Sequence, residues 1–421
     1  MSTRSLRIAW LGPVPGGPSS ARGVASDLLL GLAELGHRID CFFPSAGHPI
    51  PAELDAHENL TFIWGTSPWK WNKWYSRTRV GAFATGLYAR GRASLRLREV
   101  ITTHHQREPY DLVYQFSSIE SPAMPAGLRR TVPLVIHPET HIAGELRWLI
   151  VERRLSRRCQ PAYVVGMVAA IMVVRTLVQR LAIRRAALLI CISSVFRDHL
   201  IHDYGFPLAK TVVVPNPVRL SRFPEATREL REPPTVLVLG RISVRKGVED
   251  VVAVAHALLE QGVDARIRIL GNPSLWSDYT KLLDDLPAAN AEYAGHVPAE
   301  EIPVELARSD VLLQASKYEP FGLTVGEALA AGVPVVATSE VGAIEGVDRS
   351  VVVEVRPGDV QSMVAAIVTL LDRARARPAG VADTARAEAA RLFATERVCE
   401  QISEELERLV SGAAPGSPRL G

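Results

Sequence analysis

Short runs of aliphatic and β-branched residues alternate along the whole chain with longer stretches whose apolar residues recur every three or four positions, the pattern of parallel strands joined by helices. In the first unit, Leu6-Arg-Ile-Ala-Trp-Leu reads as a strand, and a loop through Gly12 and Pro15-Gly16-Gly17 follows it. A helix from Val24 to Leu35 then carries the stripe Val24, Leu28, Leu32 and Leu35. In the second half, Val236-Leu-Val-Leu239 is a strand, Gly240 to Gly247 a loop, and the next stretch a helix. Good helix formers run from about Thr324 to Ala331, Gly332 stops them, and Val333 to Thr338 reads as a strand. Val360 to Arg373 and the stretch from Ala382 through Val410 read as further helix.

With 421 residues the chain exceeds one ordinary core, and 47% hydrophobic content suits large buried sheets. The expectation is α/β: two doubly wound parallel-sheet, Rossmann-like lobes facing a central cleft. The Pro- and Arg-rich stretch between Pro215 and Pro234 reads as their connection. This divides the chain into an N-terminal lobe (1–217), a linker (218–234), a C-terminal lobe (235–395), a last helix (396–411) and a flexible tail (412–421).

The densest chemistry lies in Glu319-Pro-Phe-Gly-Leu-Thr-Val-Gly-Glu327-Ala-Leu-Ala-Ala-Gly332-Val-Pro334. Its helix begins near Phe321-Gly322-Leu323, where Gly322 admits a close ligand and the unpaired amides favour an anion such as a diphosphate. Glu327, one turn further in, suits ribose hydroxyls, and Glu319, on the preceding loop, suits hydroxyls of a sugar beyond the phosphates. Two glutamates at this spacing are commonly solvated charges; the surrounding Pro-Phe-Gly and Ala-Gly-x-Pro reverse that reading. Upstream, Arg241 and Lys246 follow a strand's carboxyl end, where open parallel sheets bind ligands, and can neutralise a diphosphate leaving group.

Together these motifs resemble the retaining family 4 glycosyltransferases of the GT-B fold (glycosyl transferases group 1), and further pieces fit in order along nearly the whole chain: Leu188 to Ser194, Tyr204-Gly-Phe-Pro207, Val212 to Asn216, Gly295-His296-Val297, Ser309-Asp310-Val311 and Val341 to Glu345. The resemblance implies a donor site in which Arg241 and Lys246 bind the diphosphate, Glu319 the transferred sugar and Glu327 the ribose. Gly16, Gly17, Phe321, Gly322 and Leu323 would offer backbone amides, while the loops at Gly271 and Val297 would select the base. It also implies a histidine after an N-lobe strand, near the reacting sugar. His137 is the natural match and His141 the alternative if the loop register differs. The last helix would cross back onto the N-terminal lobe. Some positions depart from the family: Gln115-Phe116 stands where many members carry a histidine, Pro215-Asn216-Pro217 replaces Pro-Asn-Gly, and Val341-Gly342 replaces a glycine pair.

The implied reaction is transfer of a sugar from a UDP- or GDP-sugar to a glycan, lipid-linked or small-molecule acceptor, with front-face retention. Fixed cations and amides aimed at the departing diphosphate perform the main task, so no metal or other cofactor is expected, and no Asp-x-Asp pair is poised for a divalent ion. A phosphorylase or nucleotide-sugar epimerase on the same fold, and a non-catalytic membrane- or partner-binding protein, remain the rival readings.

A net charge of +3 makes nucleic acid a poor partner for the whole chain. The charge is uneven, however. Segment 141–185 carries nine arginines against Glu145 and Glu152, around the uncharged run Cys159 to Val174. That run either packs inside the N-terminal lobe with arginines outside, or docks on an anionic membrane surface. Trp69, Trp71, Trp74 and Tyr75 form an aromatic and basic cluster that stacks on an acceptor sugar, sits at a lipid interface, or simply packs inward. His104-His105 reads as a solvated loop pair. Four scattered cysteines without a metal pattern, and an amino terminus without an apolar signal region, suit a cytoplasmic protein, peripheral at the inner membrane surface in the docking reading.

Overall fold

The computed structural model describes residues 4–16, 20–44, 49–65, 79–116, 124–125, 127–225, 230–273 and 278–413. Seven parallel strands build the first sheet: β1 (Arg7–Leu11), β2 (Arg38–Phe43), β3 (Leu60–Trp64), β4 (Leu112–Phe116), β5 (Leu134–His137), β6 (Leu188–Cys191) and β7 (Thr211–Val213). Their order is β3-β2-β1-β4-β5-β6-β7. Six more build the second sheet: β8 (Thr235–Leu239), β9 (Arg266–Leu270), β10 (Ala291–Gly295), β11 (Val311–Gln314), β12 (Val335–Thr338) and β13 (Val352–Val355), in the order β10-β9-β8-β11-β12-β13. The expected pair of doubly wound lobes is therefore present. In each sheet the chain reverses its winding beside the first strand, between β1 and β4 and between β8 and β11, which leaves a crevice at the carboxyl ends of those strands.

Helix bounds move by a residue or a few from the sequence expectation. The phosphate-site helix is Leu323–Ala330, with Gly332 in the left-handed region at φ 75° just beyond it, and β12 starts at Val335. The expected terminal stretch of helix is two helices, Pro378–Phe393 and Thr395–Val410. The second packs on the N-terminal lobe: Val398, Cys399, Ile402 and Leu406 join the core beneath helix Ser20–Glu34, and His37 Nε2 lies 2.7 Å from Ser403 Oγ. Gly31 makes room for this, because a Cβ there would stand 2.5 Å from Cys399 Sγ.

Two expectations are corrected. His104 and His105 close helix Arg79–Arg107 rather than lie in a loop, with Tyr110 N donating to His105 Nδ1 at 3.1 Å. The apolar run within 141–185 is not core. That segment folds into three helices, Ile142–Val151, Arg153–Cys159 and Ala162–Ile183, and only Val168, Gln179, Ala182 and Ile183 of the last are buried. The Trp69–Tyr75 cluster, Gly17 and residues 414–421 of the tail lie outside the described residues.

The lobes touch through specific contacts. Ser193 Oγ donates to Pro320 O at 2.7 Å, and the Glu345 carboxylate accepts from the amides of Ser194 and Val195 at 2.8 and 3.0 Å. A carboxylate from one lobe thus caps the helix Ser194–Tyr204 of the other, where the dipole favours it.

Candidate active site

The loop after β8 carries Arg241, Arg245 and Lys246, and the loop after β11 returns Glu319 to them. Arg241 is exposed. Glu319 accepts from Lys246 Nζ and from Arg245 Nη1, the latter at 3.2 Å. Burial works against the Glu319 charge, but Lys246 and Arg245 outweigh it and hold the carboxyl at about 2, so it is ionised at any neutral pH. Burial pulls Lys246 below the ordinary lysine range, and Glu319 opposes that shift. Arg245, in the same loop, is the second partner of Glu319. Its Nε also lies 3.8 Å from Glu145 Oε1, across the lobe boundary.

Gly322 opens the helix Leu323–Ala330 at φ 96°, and no side chain caps it. A Cβ there would stand 2.9 Å from Val341 Cγ1, so glycine satisfies both the backbone and the space. The uncapped first turn leaves its amides directed at the crevice beside Lys246 and Glu319. The Phe321 ring is core, edge-on to Phe393 at 5.7 Å, and the residue's carbonyl accepts from the Ala343 amide at 2.8 Å. Leu323 is half-buried. Glu327 lies in the second turn, and burial raises its carboxyl to about 7, with Arg222 opposing and Asp27 adding to the shift.

Gly271 proves to be a packing position. A Cβ would stand 1.7 Å from Gly240 O, and its own N–H donates to Gly295 O at 2.8 Å. Val297 is half-buried against the core beside this loop.

From the N-terminal lobe, β5 delivers His137 to the carboxyl edge of its sheet, fully buried. Its Nδ1 lies 2.7 Å from Tyr114 Oη, and its Nε2 lies 3.7 Å from Glu139 Oε1 with no hydrogen-bond partner among the described residues. Burial lowers the imidazole to about 3, so it is neutral. In the tautomer where the Tyr114 hydroxyl donates to Nδ1, Nε2 carries the proton and is a donor; in the other, Nδ1–H donates to the hydroxyl and Nε2 is an acceptor. Burial raises Glu139 to about 7, and Asn216 Nδ2 donates to it at 2.9 Å. The Gly16 amide, expected to be available, donates to Ser26 Oγ at 2.9 Å.

His141 is engaged differently. Its Nδ1 lies 2.6 Å from Tyr318 Oη of the other lobe and its Nε2 3.1 Å from Asp203 Oδ2. His141 is thus a lobe-to-lobe tie through Tyr318, and its Nε2, like that of His137, makes no hydrogen bond among the described residues. Lys317 continues this tie: its ammonium lies 3.1 Å from Glu152 Oε1 and also contacts Glu249.

Residues 23–222 match Glycosyltransferase Family 4, and residues 221–387 match Glycosyl transferases group 1. The chain belongs to the group 1 glycosyltransferases of GT-B fold. This GT-B chain is 31% identical over 250 residues to glycogen synthase of Mycobacterium tuberculosis (strain CDC 1551 / Oshkosh), covering 56% of this chain and 58% of that protein. It is 32% identical over 212 residues to the GDP-mannose-dependent alpha-(1-6)-phosphatidylinositol monomannoside mannosyltransferase of the same organism, covering 45% and 54%. The matches thus span somewhat more than half the length of these relatives. Sucrose-phosphate synthase from Thermosynechococcus elongatus has the same fold, with a TM-score of 0.70 over 97% of this chain and 100% of that one, at 19% identity.

Arg245, Glu139 and Tyr114 are the site neighbours that motif reading missed, and Asn216, read only as part of the Pro215-Asn216-Pro217 piece, holds Glu139; only strand pairing brings Tyr114 beside His137.

The two raised carboxyls have a measurable consequence. Between the ordinary glutamate value of 4.5 and about 7, folded Glu139 and Glu327 keep protons that the unfolded chain has released. The folded state binds more protons in that window, so their contribution to stability falls as pH rises through it. His137 and His141, lowered to about 3 and 4, push the opposite way below 6.5. A difference measurement separates the two. Glu139→Gln and Glu327→Gln should each melt close to the parent at pH 5 and about 2–4 °C above it at pH 8. Differential scanning calorimetry across that range checks this, and a pH-independent difference would contradict the raised carboxyls.

Proposed function

We propose that this chain moves a sugar from a UDP- or GDP-sugar to a glycan, lipid-linked or small-molecule acceptor, without a metal and with retention. The observation that carries the proposal is the convergence, at the carboxyl edge of the second sheet, of an exposed Arg241, the Lys246–Glu319 pair and the uncapped helix start at Gly322, while β5 brings a neutral His137 to the carboxyl edge of the first.

Each part has a task in this reading. The helix amides, Arg241 and Lys246 take the diphosphate, and their charge is already fixed in position when the bond to the leaving phosphate breaks. Glu319 turns from its cations toward hydroxyls of the sugar, and Glu327 toward the ribose. His137 Nε2 donates to a sugar hydroxyl or phosphate oxygen near the anomeric carbon. Retention follows from acceptor attack on the face the diphosphate leaves. Glu319 is held by two cations and Glu139, raised to about 7 by burial, keeps its proton in about half of the molecules at neutral pH and is held by Asn216, so neither is a ready nucleophile. The free cysteines Cys41, Cys159, Cys191 and Cys399 support a cytoplasmic setting.

The test is a calorimetric screen of UDP, GDP, ADP and TDP, followed by product analysis with sugars of the base that binds. Selective binding and an acceptor-dependent product with the donor's anomeric configuration are expected, in buffer containing a chelator. Orthophosphate-dependent release would indicate a phosphorylase instead, acceptor-free conversion an epimerase, and no nucleotide binding a non-catalytic protein.

A further inference from the structure

Helix Ala162–Ile183 is built inside out for a water-soluble lobe. Its solvent-facing stripe is Tyr163, Val173, Val174, Leu177, Val178 and Leu181, with Tyr163 75% and Leu181 58% exposed. These positions recur at the three- and four-residue spacing of one helix face, the face that carries charge in an ordinary surface helix. The inward face holds the polar residue instead. Gln179 Oε1 accepts from the Ile142 amide at 2.9 Å and from the Tyr204 hydroxyl at 2.5 Å, while its Nε2 donates to Thr140 O at 2.6 Å. The apolar surface continues onto the first helix of the insert through Ile150 and Val151, both about half exposed. An unbroken apolar stripe of this length on a lobe surface calls for an occupant.

The charge around the stripe identifies one. The short helix Arg153–Cys159 presents Arg153, Arg154, Arg157 and Arg158 to solvent with no acidic residue of its own, and Arg180, Arg184 and Arg185 are exposed at the far end of the long helix. Among the described residues only Arg158 of the first four meets a carboxylate, Asp285 Oδ2 at 3.5 Å, and that pair is itself exposed. A second copy of the chain would set this basic rim against an identical one. An anionic lipid surface pairs with the rim and takes the apolar stripe at once.

We propose that helix Ala162–Ile183 docks the protein, lying in the plane of an anionic bilayer with its outward stripe among the acyl chains and the flanking arginines at the phosphate level. At 22 residues the helix is long enough to cross a bilayer. Its inner face, however, is fastened along the lobe by Gln179 and by buried Val168, Ala182 and Ile183, so lipid cannot surround it. The same insert reaches the cleft through His141–Tyr318 and Glu145–Arg245, and docking therefore fixes the crevice relative to the membrane surface. The inference does not rest on the transfer reaction and is measured without nucleotide.

The experiment is co-sedimentation of the full chain with phosphatidylcholine vesicles, with and without phosphatidylglycerol. The protein should pellet with the anionic vesicles and remain largely in the supernatant with the neutral ones. Leu177→Glu/Leu181→Glu should lower the partition coefficient at least about tenfold by placing charge where acyl chains belong. Arg153→Gln/Arg154→Gln/Arg157→Gln should remove the preference for anionic lipid, roughly fivefold for each arginine lost. These side chains face solvent, so both variants should keep the parent melting temperature, which separates lost docking from lost folding. Failure to pellet with either vesicle, or unchanged partition in both variants, overturns the proposal. So does sedimentation equilibrium showing a dimer that Leu177→Glu/Leu181→Glu dissolves, which would assign the stripe to a second copy.

Discussion

Replacing Arg241 and Lys246 together with alanine is expected to abolish calorimetric binding of UDP and GDP and to lower turnover by at least 10²–10³-fold, roughly the effect of removing one donor aimed at developing negative charge. Each charge-assisted hydrogen bond to a phosphate contributes about 1.5–3 kcal/mol, so losing two moves a micromolar ligand out of the measurable range. The single variants separate the roles. Arg241 is exposed and pairs with no carboxylate among the described residues, so Arg241→Ala should weaken nucleotide binding and leave the melting temperature unchanged. Lys246→Ala removes one of two cations on Glu319, which Arg245 still holds at 3.2 Å, so it should cost both affinity and some stability. Retention of nucleotide affinity within about threefold in the double variant would remove these residues from the diphosphate site.

Glu319→Ala should produce the largest loss of stability of any single change at the crevice. The side chains of Arg245 and Lys246 are only 19% and 16% exposed, and Glu319 is the carboxylate that neutralises both. Without it, among the described residues, Arg245 is left with Glu145 at 3.8 Å and Lys246 with no carboxylate in an ion pair. Removing one partner from a buried charge cluster costs about 3–5 kcal/mol, because the remaining charges stay desolvated and uncompensated. The melting temperature should fall on the order of 10 °C. Glu319→Ala/Lys246→Met should recover a substantial part of that loss while remaining inactive. If the double variant is no more stable than Glu319→Ala, the ion cluster is not what Glu319 stabilises. Glu319→Gln keeps hydrogen-bonding capacity to the sugar but loses the charge, and should reduce turnover more than it raises KM.

How much of this was legible along the chain differs from element to element. β8 and β12 are continuous aliphatic runs because both faces of a parallel sheet are covered, and such strands announce themselves within a residue or two. Gly322 and Gly332 were equally legible, since each marks a backbone state that other residues reach only with strain. The loops holding Arg241, Lys246 and Glu319 could be read as one crevice because a parallel sheet places every strand's carboxyl end on the same edge.

The rest depended on distance in sequence. His137 and His141 look interchangeable along the chain. Tyr318, 177 residues further on, engages the second, while Tyr114 on the neighbouring strand orients the first. Arg245 meets Glu319 only because the loop after β11 folds over the loop after β8, and nothing in the spacing of the two loops shows which cation the carboxylate takes. The segment 141–185 is the clearest case, since its composition is satisfied equally by burial and by exposure. Gln179, hydrogen-bonded inward to Thr140, Ile142 and Tyr204, sets the rotation of the long helix and turns its valines and leucines to the outside. Periodicity and backbone propensity act over a few residues and were sufficient to determine the strands, the turns and the order of the two lobes. Which tyrosine each histidine meets, which cations share a carboxylate and which way an apolar helix faces depend on groups far apart in the chain, and only the packed lobes bring those groups within hydrogen-bonding and Coulombic range.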